Sequence, residues 1–178
     1  MQKKYFPLKV TVVCALLAAL SIVTGKFLAF NLGEALRFSF ENTPIILAGV
    51  LFGPVPAALT AIVADLTGCL MVGYSINPVV TVGAAAIGLL SGLLAKLLKK
   101  MHIAPKLLLA VFVSHLVGSV LIKTAGLAAF YQMPFYILLL WRLLNYVIIG
   151  TVEFLLLLMI CKNRSFIKIA ENFSEVKK

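Results

Sequence analysis

The chain is poor in charged residues, and acidic residues are especially few. Only 12% of its 178 residues are charged and six are acidic, whereas 62% are hydrophobic. A soluble domain is about half apolar and about a quarter charged, so one soluble core could not bury this much apolar surface. The composition excludes an ordinary soluble protein and predicts an integral membrane protein, with residues 1–178 forming a single domain.

Cysteine is scarce as well, and no recognisable catalytic or nucleotide-binding motif is present. The three cysteines, Cys14, Cys69 and Cys161, are odd in number and lack the spacing of a zinc site or a disulfide framework. The sequence contains no HExxH, no GxSxG and no phosphate-binding loop, the patterns that carry metal-dependent hydrolysis, acyl transfer and ATP binding. We therefore expect no enzymatic activity, no cofactor and no ability to drive transport with ATP unaided.

Long apolar runs are the main feature that is present, and they do not alternate between polar and apolar residues. A transmembrane β-barrel requires such alternation, which the runs at 10–23 and 146–161 lack. The fold class is therefore predicted to be an all-α membrane bundle. A spanning helix needs about 20 mostly apolar residues. Six segments qualify or nearly so, the second being short: 10–30, 43–53, 55–73, 78–98, 107–128 and 134–161.

The basic residues predict how these segments are oriented. Twelve of the 16 Lys and Arg residues lie before the first segment, around the link between the fourth and fifth, or after the sixth. Six crossings place all three regions on one side, and basic loops stay in the cytoplasm. Both termini are therefore predicted to be cytoplasmic, with 162–178 as a cytoplasmic tail. The net charge of +10 is read as a topology signal and not as a sign of nucleic-acid binding.

Small and helix-starting residues predict two local features. Ala84, Gly88 and Gly92 recur every four residues in the fourth segment, and small residues in that register let helices approach closely in lipid. They predict close packing inside the bundle. Thr43 and Pro44 are typical of a helix start, with Thr43 as the N-cap of the second helix.

Four cations remain outside the cytoplasmic groups, and all lie in the outer half or in external loops: Lys26, Arg37, Lys123 and Arg142. Ionisable groups near the bilayer centre are costly and usually face the bundle interior. On the fifth helix, His115, Ser119 and Lys123 are four residues apart and form one polar stripe. This stripe predicts a polar site inside the bundle.

Further polar residues extend the predicted site. On the sixth helix, Arg142, Tyr146 and Glu153 share a face, with Asn145 to one side, and Asp65 lies near the middle of the third. The external loops add Arg37, Phe38, Glu41, Tyr74, Ser75 and Asn77. Together these residues predict an outward-open cup lined by cations, a few carboxylates, amides and aromatic rings.

The residue types in the cup predict its ligand. Several cations favour an anionic ligand, because Arg binds a carboxylate through two parallel hydrogen bonds. Aromatic rings favour a flat conjugated group, and Glu41 or Asp65 would suit an amidine-like edge such as that of a pterin. Pairing among the charges is the alternative. Asp65 would pair with Arg142 or Lys123, or Arg37 with Glu41 across a short helical turn.

Two blocks of the sequence resemble a known family. They read "RFSFENTPIILAGVLFGPVPAALTAIVADL" at 37–66 and "GYSINPVVTVGAAAIG" at 73–88, and both are similar to the folate-specific S components (FolT) of energy-coupling factor (ECF) transporters. The resemblance implies a six-helix subunit of a prokaryotic cell membrane that captures extracellular folate or reduced folate. It also implies a coupling protein, EcfT, and two ATPases, EcfA and EcfA′, which drive a toppling motion of the subunit.

The resemblance also implies residue roles. With the polar residues above, the predicted substrate-binding set is Arg37, Phe38, Glu41, Asp65, Tyr74, Ser75, Asn77, His115, Lys123, Arg142, Asn145 and Tyr146. The family places an Ala-x-x-x-Ala surface of the first helix against the coupling protein, which corresponds here to Ala15 and Ala19. Lys26 lies at nearly the azimuth of Ala15, about 20° away on a regular helix, so we expect it outside the cup.

Other functions fit the same composition. An S component for a different vitamin keeps the architecture and changes the lining of the cup. A membrane scaffold without a small ligand would tolerate loss of both Arg37 and Arg142. Competition among vitamins for binding to the purified protein distinguishes an S component for a different vitamin from one for folate.

Overall fold

The computed structural model describes residues 7–32 and 36–163, with only the backbone described at 31–32, 36–37 and 131. Helix α1 (Leu8–Ile22) continues as a π-helical turn (Val23–Phe27), and strands β1 (Phe30–Leu32) and β2 (Leu36–Phe38) follow. Next come α2 (Asn42–Phe52), α3 (Pro54–Val72) and α4 (Pro78–Leu97). Helix α5 comprises Ile103–Ser114, a π-helical segment (His115–Lys123) and Thr124–Tyr131, and α6 is Phe135–Lys162. Most of the predicted tail, 164–178, lies outside the described residues.

The predicted helical bundle is confirmed. The six helices begin and end within a few residues of the six predicted segments, and five of them are long and apolar enough to cross a membrane. The remaining helix, α2, has 11 residues and is about 16 Å long at 1.5 Å per residue. That is about half of the roughly 30 Å hydrocarbon core.

Helix α2 lies inside the bundle, with most of its side chains buried. Ile46 and Ala48 are fully buried, and Ile45, Leu47 and Phe52 are nearly so. A helix that is apolar on every face is typical of a buried position. Gly53, with φ of 89°, makes the tight turn into α3, and Pro54 and Pro56 lie in the first turn of that helix.

Helices α3 and α4 pack through the small residues that the sequence predicted. A Cβ on Gly88 would lie 2.4 Å from the carbonyl oxygen of Ala57, and one on Gly92 would lie 2.5 Å from the backbone of Gly53. Only glycine allows the two backbones to come this close. The predicted close packing inside the bundle is confirmed.

This packing predicts a stability effect. We expect Gly92→Ala to lower the free energy of unfolding by about 1–3 kcal/mol, as overpacking does in other cores, because the added methyl meets backbone atoms. Gly150→Ala is the matched control, since the nearest atom to its Cβ is a Phe112 ring carbon at 3.4 Å. Thermal unfolding of the purified protein measures both. An equal loss in the two variants would contradict the role of Gly92.

The segment before α2 departs from the all-α prediction. Strands β1 and β2 pair as a short antiparallel hairpin in which Phe30 pairs with Phe38 and Asn31 with Arg37. Arg37 is therefore in a strand, and the helical turn proposed for an Arg37–Glu41 pair is wrong. The hairpin has only three residues per strand, too few for a periodic signal in the sequence.

The start of α2 also differs from the prediction. The helix begins at Asn42, with Glu41 at the N-cap and no capping side-chain hydrogen bond. Thr43 is not the cap, because it is already the second residue of the helix, and its hydroxyl donates to the Glu153 carboxylate at 3.0 Å. Competition from this contact between helices explains why the local capping rule failed here.

Candidate ligand-binding site

A small pocket lies between α1, α3, α4 and α5 beside the first residue of α2. Its charged lining residues are Lys26, Glu41, Asp65 and Lys123, with Ser21 and the apolar residues Ile22, Ile45, Ala61, Ala64 and Ala84. We call this the outer pocket. Its cavity volume is about 10 Å³, roughly the space of one water molecule, and its charged side chains come from four separate parts of the chain.

Lys123 and Glu41 form the ion pair of the outer pocket. Lys123 Nζ donates to Glu41 Oε1 at 3.0 Å, and the Lys123 side chain is almost fully buried. The backbone carbonyl of Glu41 accepts from the Ser21 hydroxyl at 2.6 Å. The pair therefore joins the start of α2 to α5, and the hydroxyl joins it to α1.

Lys26 also lines the outer pocket, so the expectation that it lies outside is wrong. Its Nζ is 3.9 Å from Cys69 Sγ and 5.5 Å from the centroid of the Tyr74 ring. The π-helical turn at Val23–Phe27 widens the end of α1 and shifts the azimuth of Lys26 from its regular helical value. Gly68 makes room, because a Cβ there would lie 2.9 Å from Lys26 Cε.

Asp65 takes a hydroxyl partner rather than a cation. Its carboxylate accepts from Thr81 of α4 at 2.7 Å, and it forms no ion pair within the described part of the chain. The predicted pairings of Asp65 with Lys123 or Arg142 are therefore wrong. A half-buried carboxylate at the edge of a pocket retains lone pairs for a ligand.

Arg142 lies against aromatic side chains on α6. Its guanidinium donates to the Tyr146 hydroxyl at 3.3 Å, and the guanidinium carbon is 5.4 Å from the Tyr146 ring centroid. Its Nε is buried without a hydrogen-bond partner among the described residues. The Tyr146 ring in turn stacks on His115, with centroids 4.9 Å apart. Arg142 therefore retains donor capacity and has no carboxylate partner in the described chain.

His115 is engaged by protein groups at both ring nitrogens. Nε2 pairs with the Glu153 carboxylate and Nδ1 is 3.2 Å from the Ser119 hydroxyl. The polar stripe predicted on the fifth helix is thus present, and a π-helical segment carries it. Glu153 was left outside the predicted binding set, although a carboxylate inside a spanning helix was a signal for a buried polar contact.

The remaining predicted residues lie around these groups. Asn77 caps α4, accepting from Val79 N at 3.0 Å, and donates to the Gly126 carbonyl at 2.9 Å. Tyr74 and Ser75 are exposed in the loop after α3, Phe38 is half-buried in β2, and Asn145 is buried in α6. The side chain of Arg37 lies outside the described residues. The binding roles of these residues stay predictions.

The predicted docking residues lie on an outer face of α1. Ala15 and Ala19 are exposed, whereas Ala18 is buried. Ala15 borders an apolar groove between α1 and α3, where Leu59 and Val63 form part of the opposite wall. The two alanines therefore do not contribute to packing inside the bundle.

These features define a class: a multi-pass membrane protein with a small, charged pocket at one end of a helical bundle. The model of the family "ECF-type riboflavin transporter, S component" matches residues 6–165, and the chain belongs to this family. It is thus the substrate-binding S component of an ECF-type transporter of prokaryotic membranes, and not an enzyme. ECF S components work with EcfT and EcfA ATPases.

Two solved structures share the fold. The crystal structure of FolT bound with folic acid is 24% identical, with a TM-score of 0.69, covering 84% of this chain and 90% of that one. The S component for biotin from an ECF-type ABC transporter is 16% identical, with a TM-score of 0.61, covering 87% and 92%. No curated protein sequence matches the chain. The predicted transporter class is confirmed, whereas the family description names riboflavin where the sequence resemblance implied folate.

Proposed function

We propose that this S component captures a vitamin with a pteridine-type ring in the outer pocket. Riboflavin and folate both carry such a ring, with an edge of alternating N–H and C=O or ring-nitrogen groups. Asp65 carries the proposal, because its carboxylate lines the pocket and forms no ion pair in the described chain. A carboxylate accepts from ring N–H groups, and Lys26 or Lys123 would donate to ring oxygens or nitrogens.

Riboflavin is the first candidate. The matching family, which spans residues 6–165, is named for it. The charges in the outer pocket also favour an uncharged vitamin, since two lysines face two carboxylates there. Lys123, which the sequence analysis assigned to a ligand carboxylate, is already paired with Glu41.

Folate is the second candidate, and Arg142 favours it. This residue lies next to Tyr146, keeps a buried Nε without a partner among the described residues, and has no carboxylate at ion-pair distance there. A guanidinium with free donors suits a carboxylate of the folate glutamate tail. The resemblance of residues 37–88 to folate-specific S components agrees with this candidate.

Entry of either vitamin requires the outer pocket to widen. Its cavity volume of about 10 Å³ is far below the roughly 300–1,000 Å³ of most ligand pockets. The short hairpin and the start of α2 lie at this end of the bundle, so we infer that they move when the vitamin binds. Delivery across the membrane then relies on the coupling protein and ATPases, because the chain has no phosphate-binding loop.

Binding to the purified protein tests the proposal. We expect saturable binding of riboflavin, read by quenching of flavin fluorescence, or of folic acid, read by titration calorimetry. Asp65→Asn should lower the affinity for the vitamin about tenfold, as loss of a charged hydrogen-bond partner does. Arg142→Met should lower the affinity for folic acid and leave the affinity for riboflavin unchanged. Absence of saturable binding of both vitamins at micromolar concentration would refute the proposal.

A further inference from the structure

Glu153 is fully buried in α6, and two other helices hold its two carboxylate oxygens. Oε1 accepts from the Thr43 hydroxyl of α2 at 3.0 Å, and Oε2 pairs with His115 Nε2 of α5. A carboxylate inside a spanning helix is costly unless neighbouring groups satisfy it. Glu153 therefore ties α2, α5 and α6 together, yet it is not among the residues that line the outer pocket.

The contact with Thr43 falls on the first turn of α2. Glu41, two residues earlier, contributes its carboxylate to the outer pocket through the ion pair with Lys123, and its carbonyl accepts from Ser21. One turn of chain is thus held from α1 by Ser21, from α5 by Lys123 and from α6 by Glu153. The contact with Glu153 is the only one of these three that uses a group outside the pocket lining.

The two partners on α5 belong to a single π-helical segment, His115–Lys123. His115 holds Glu153, Lys123 holds Glu41, and Ser119 between them bonds to the second nitrogen of His115. Both contacts start from one helical segment and reach residues two positions apart, Glu41 and Thr43. We therefore expect the distance between Lys123 and Glu41 to depend on where Glu153 holds Thr43.

We propose that Glu153 is a positioning residue for vitamin binding, acting through the Thr43 hydroxyl. It fixes the first turn of α2 so that the Glu41 carboxylate stands beside Lys123 in the outer pocket. The inference rests on the proposed function, since it takes the outer pocket as the vitamin site.

The test removes the Thr43 hydroxyl and keeps the volume of the side chain. Thr43→Val should lower affinity about tenfold, measured with the vitamin, riboflavin or folic acid, that the wild-type protein binds. Thr43→Ser retains the hydroxyl and should bind that vitamin nearly as tightly as the wild type does. Thr60→Val is the control, because Thr60 is buried and donates to the Pro56 carbonyl of its own helix, so the change removes a hydroxyl without breaking a contact between helices. In the background of Glu153→Met, which removes the acceptor of the Thr43 hydroxyl, Thr43→Val should cost less affinity than it does alone, as coupled partners require.

A second readout needs no vitamin. Amide hydrogen exchange of the ligand-free protein should rise at residues 41–45 in Thr43→Val and not in Thr60→Val. Wild-type affinity in Thr43→Val, or an equal loss in Thr60→Val, would overturn the inference. If the wild type binds neither vitamin, the proposed function fails, and exchange alone decides: unchanged exchange at 41–45 in Thr43→Val overturns the positioning role.

Discussion

Replacing Ala15 and Ala19 together with tryptophan will abolish vitamin uptake and leave vitamin binding intact. Both alanines are exposed on α1, and Ala15 borders the apolar groove between α1 and α3. Small residues four apart let another helix approach closely in a membrane, and two indole rings would block that approach. We expect the double variant to fail to co-purify with EcfT and the ATPases, so that uptake falls to background.

A matched pair on another helix controls for the bulk of tryptophan. Ala125 and Ala129 on α5 are also exposed and four residues apart. Ala125→Trp with Ala129→Trp should co-purify with the coupling protein as the wild type does. If the variant at Ala15 and Ala19 still assembles, the docking face is elsewhere.

Lys123→Met will produce the largest loss of vitamin affinity among single substitutions in the outer pocket. The substitution removes the Lys123 ammonium from the Glu41 carboxylate, and breaking a buried ion pair costs about 3–5 kcal/mol. Glu41 keeps a side-chain exposure of 23%, so we expect a smaller loss of about 2–3 kcal/mol. A loss of that size in the free energy of vitamin binding lowers affinity roughly 30- to 150-fold.

A second substitution separates stability from binding. Glu41→Gln combined with Lys123→Met removes both charges, and we expect it to restore most of the thermal stability that Lys123→Met loses. Affinity should stay low, because the pocket then lacks both groups. Lys26→Met is the control for loss of a lysine from the same pocket without loss of an ion pair. Wild-type affinity in Lys123→Met would show that Lys123 has no part in binding.

The helices were predictable because their signal is local. A run of about 20 apolar residues is sufficient to span a bilayer, and the five long helices end within a few residues of where such runs stop. The polar stripe of His115, Ser119 and Lys123 was also predictable, since groups four residues apart share a face in either helical form. The close packing at Gly88 and Gly92 followed from residue size alone.

The partners of the charged residues were not predictable in the same way. The sequence allowed Asp65 to pair with Lys123 or Arg142, whereas the structure pairs Lys123 with Glu41 and gives Asp65 a hydroxyl. Choosing among such partners requires distances between helices, and periodicity contains no information about those distances. The contact of Thr43 with Glu153, 110 residues away, belongs to the same group.

The sequence alone therefore determined the membrane bundle, its helix ends and the class of transporter subunit, because these depend on apolar run length and on motifs within short segments. Only the tertiary structure decided that Lys26 enters the outer pocket and that β1 and β2 pair as a hairpin. A π-helical turn shifts every azimuth calculated for a regular helix, and three-residue strands are held by their pairing rather than by a pattern in their sequence. The polar contacts around Glu41 and Glu153 arise where helices meet, so they appear only once the helices are packed.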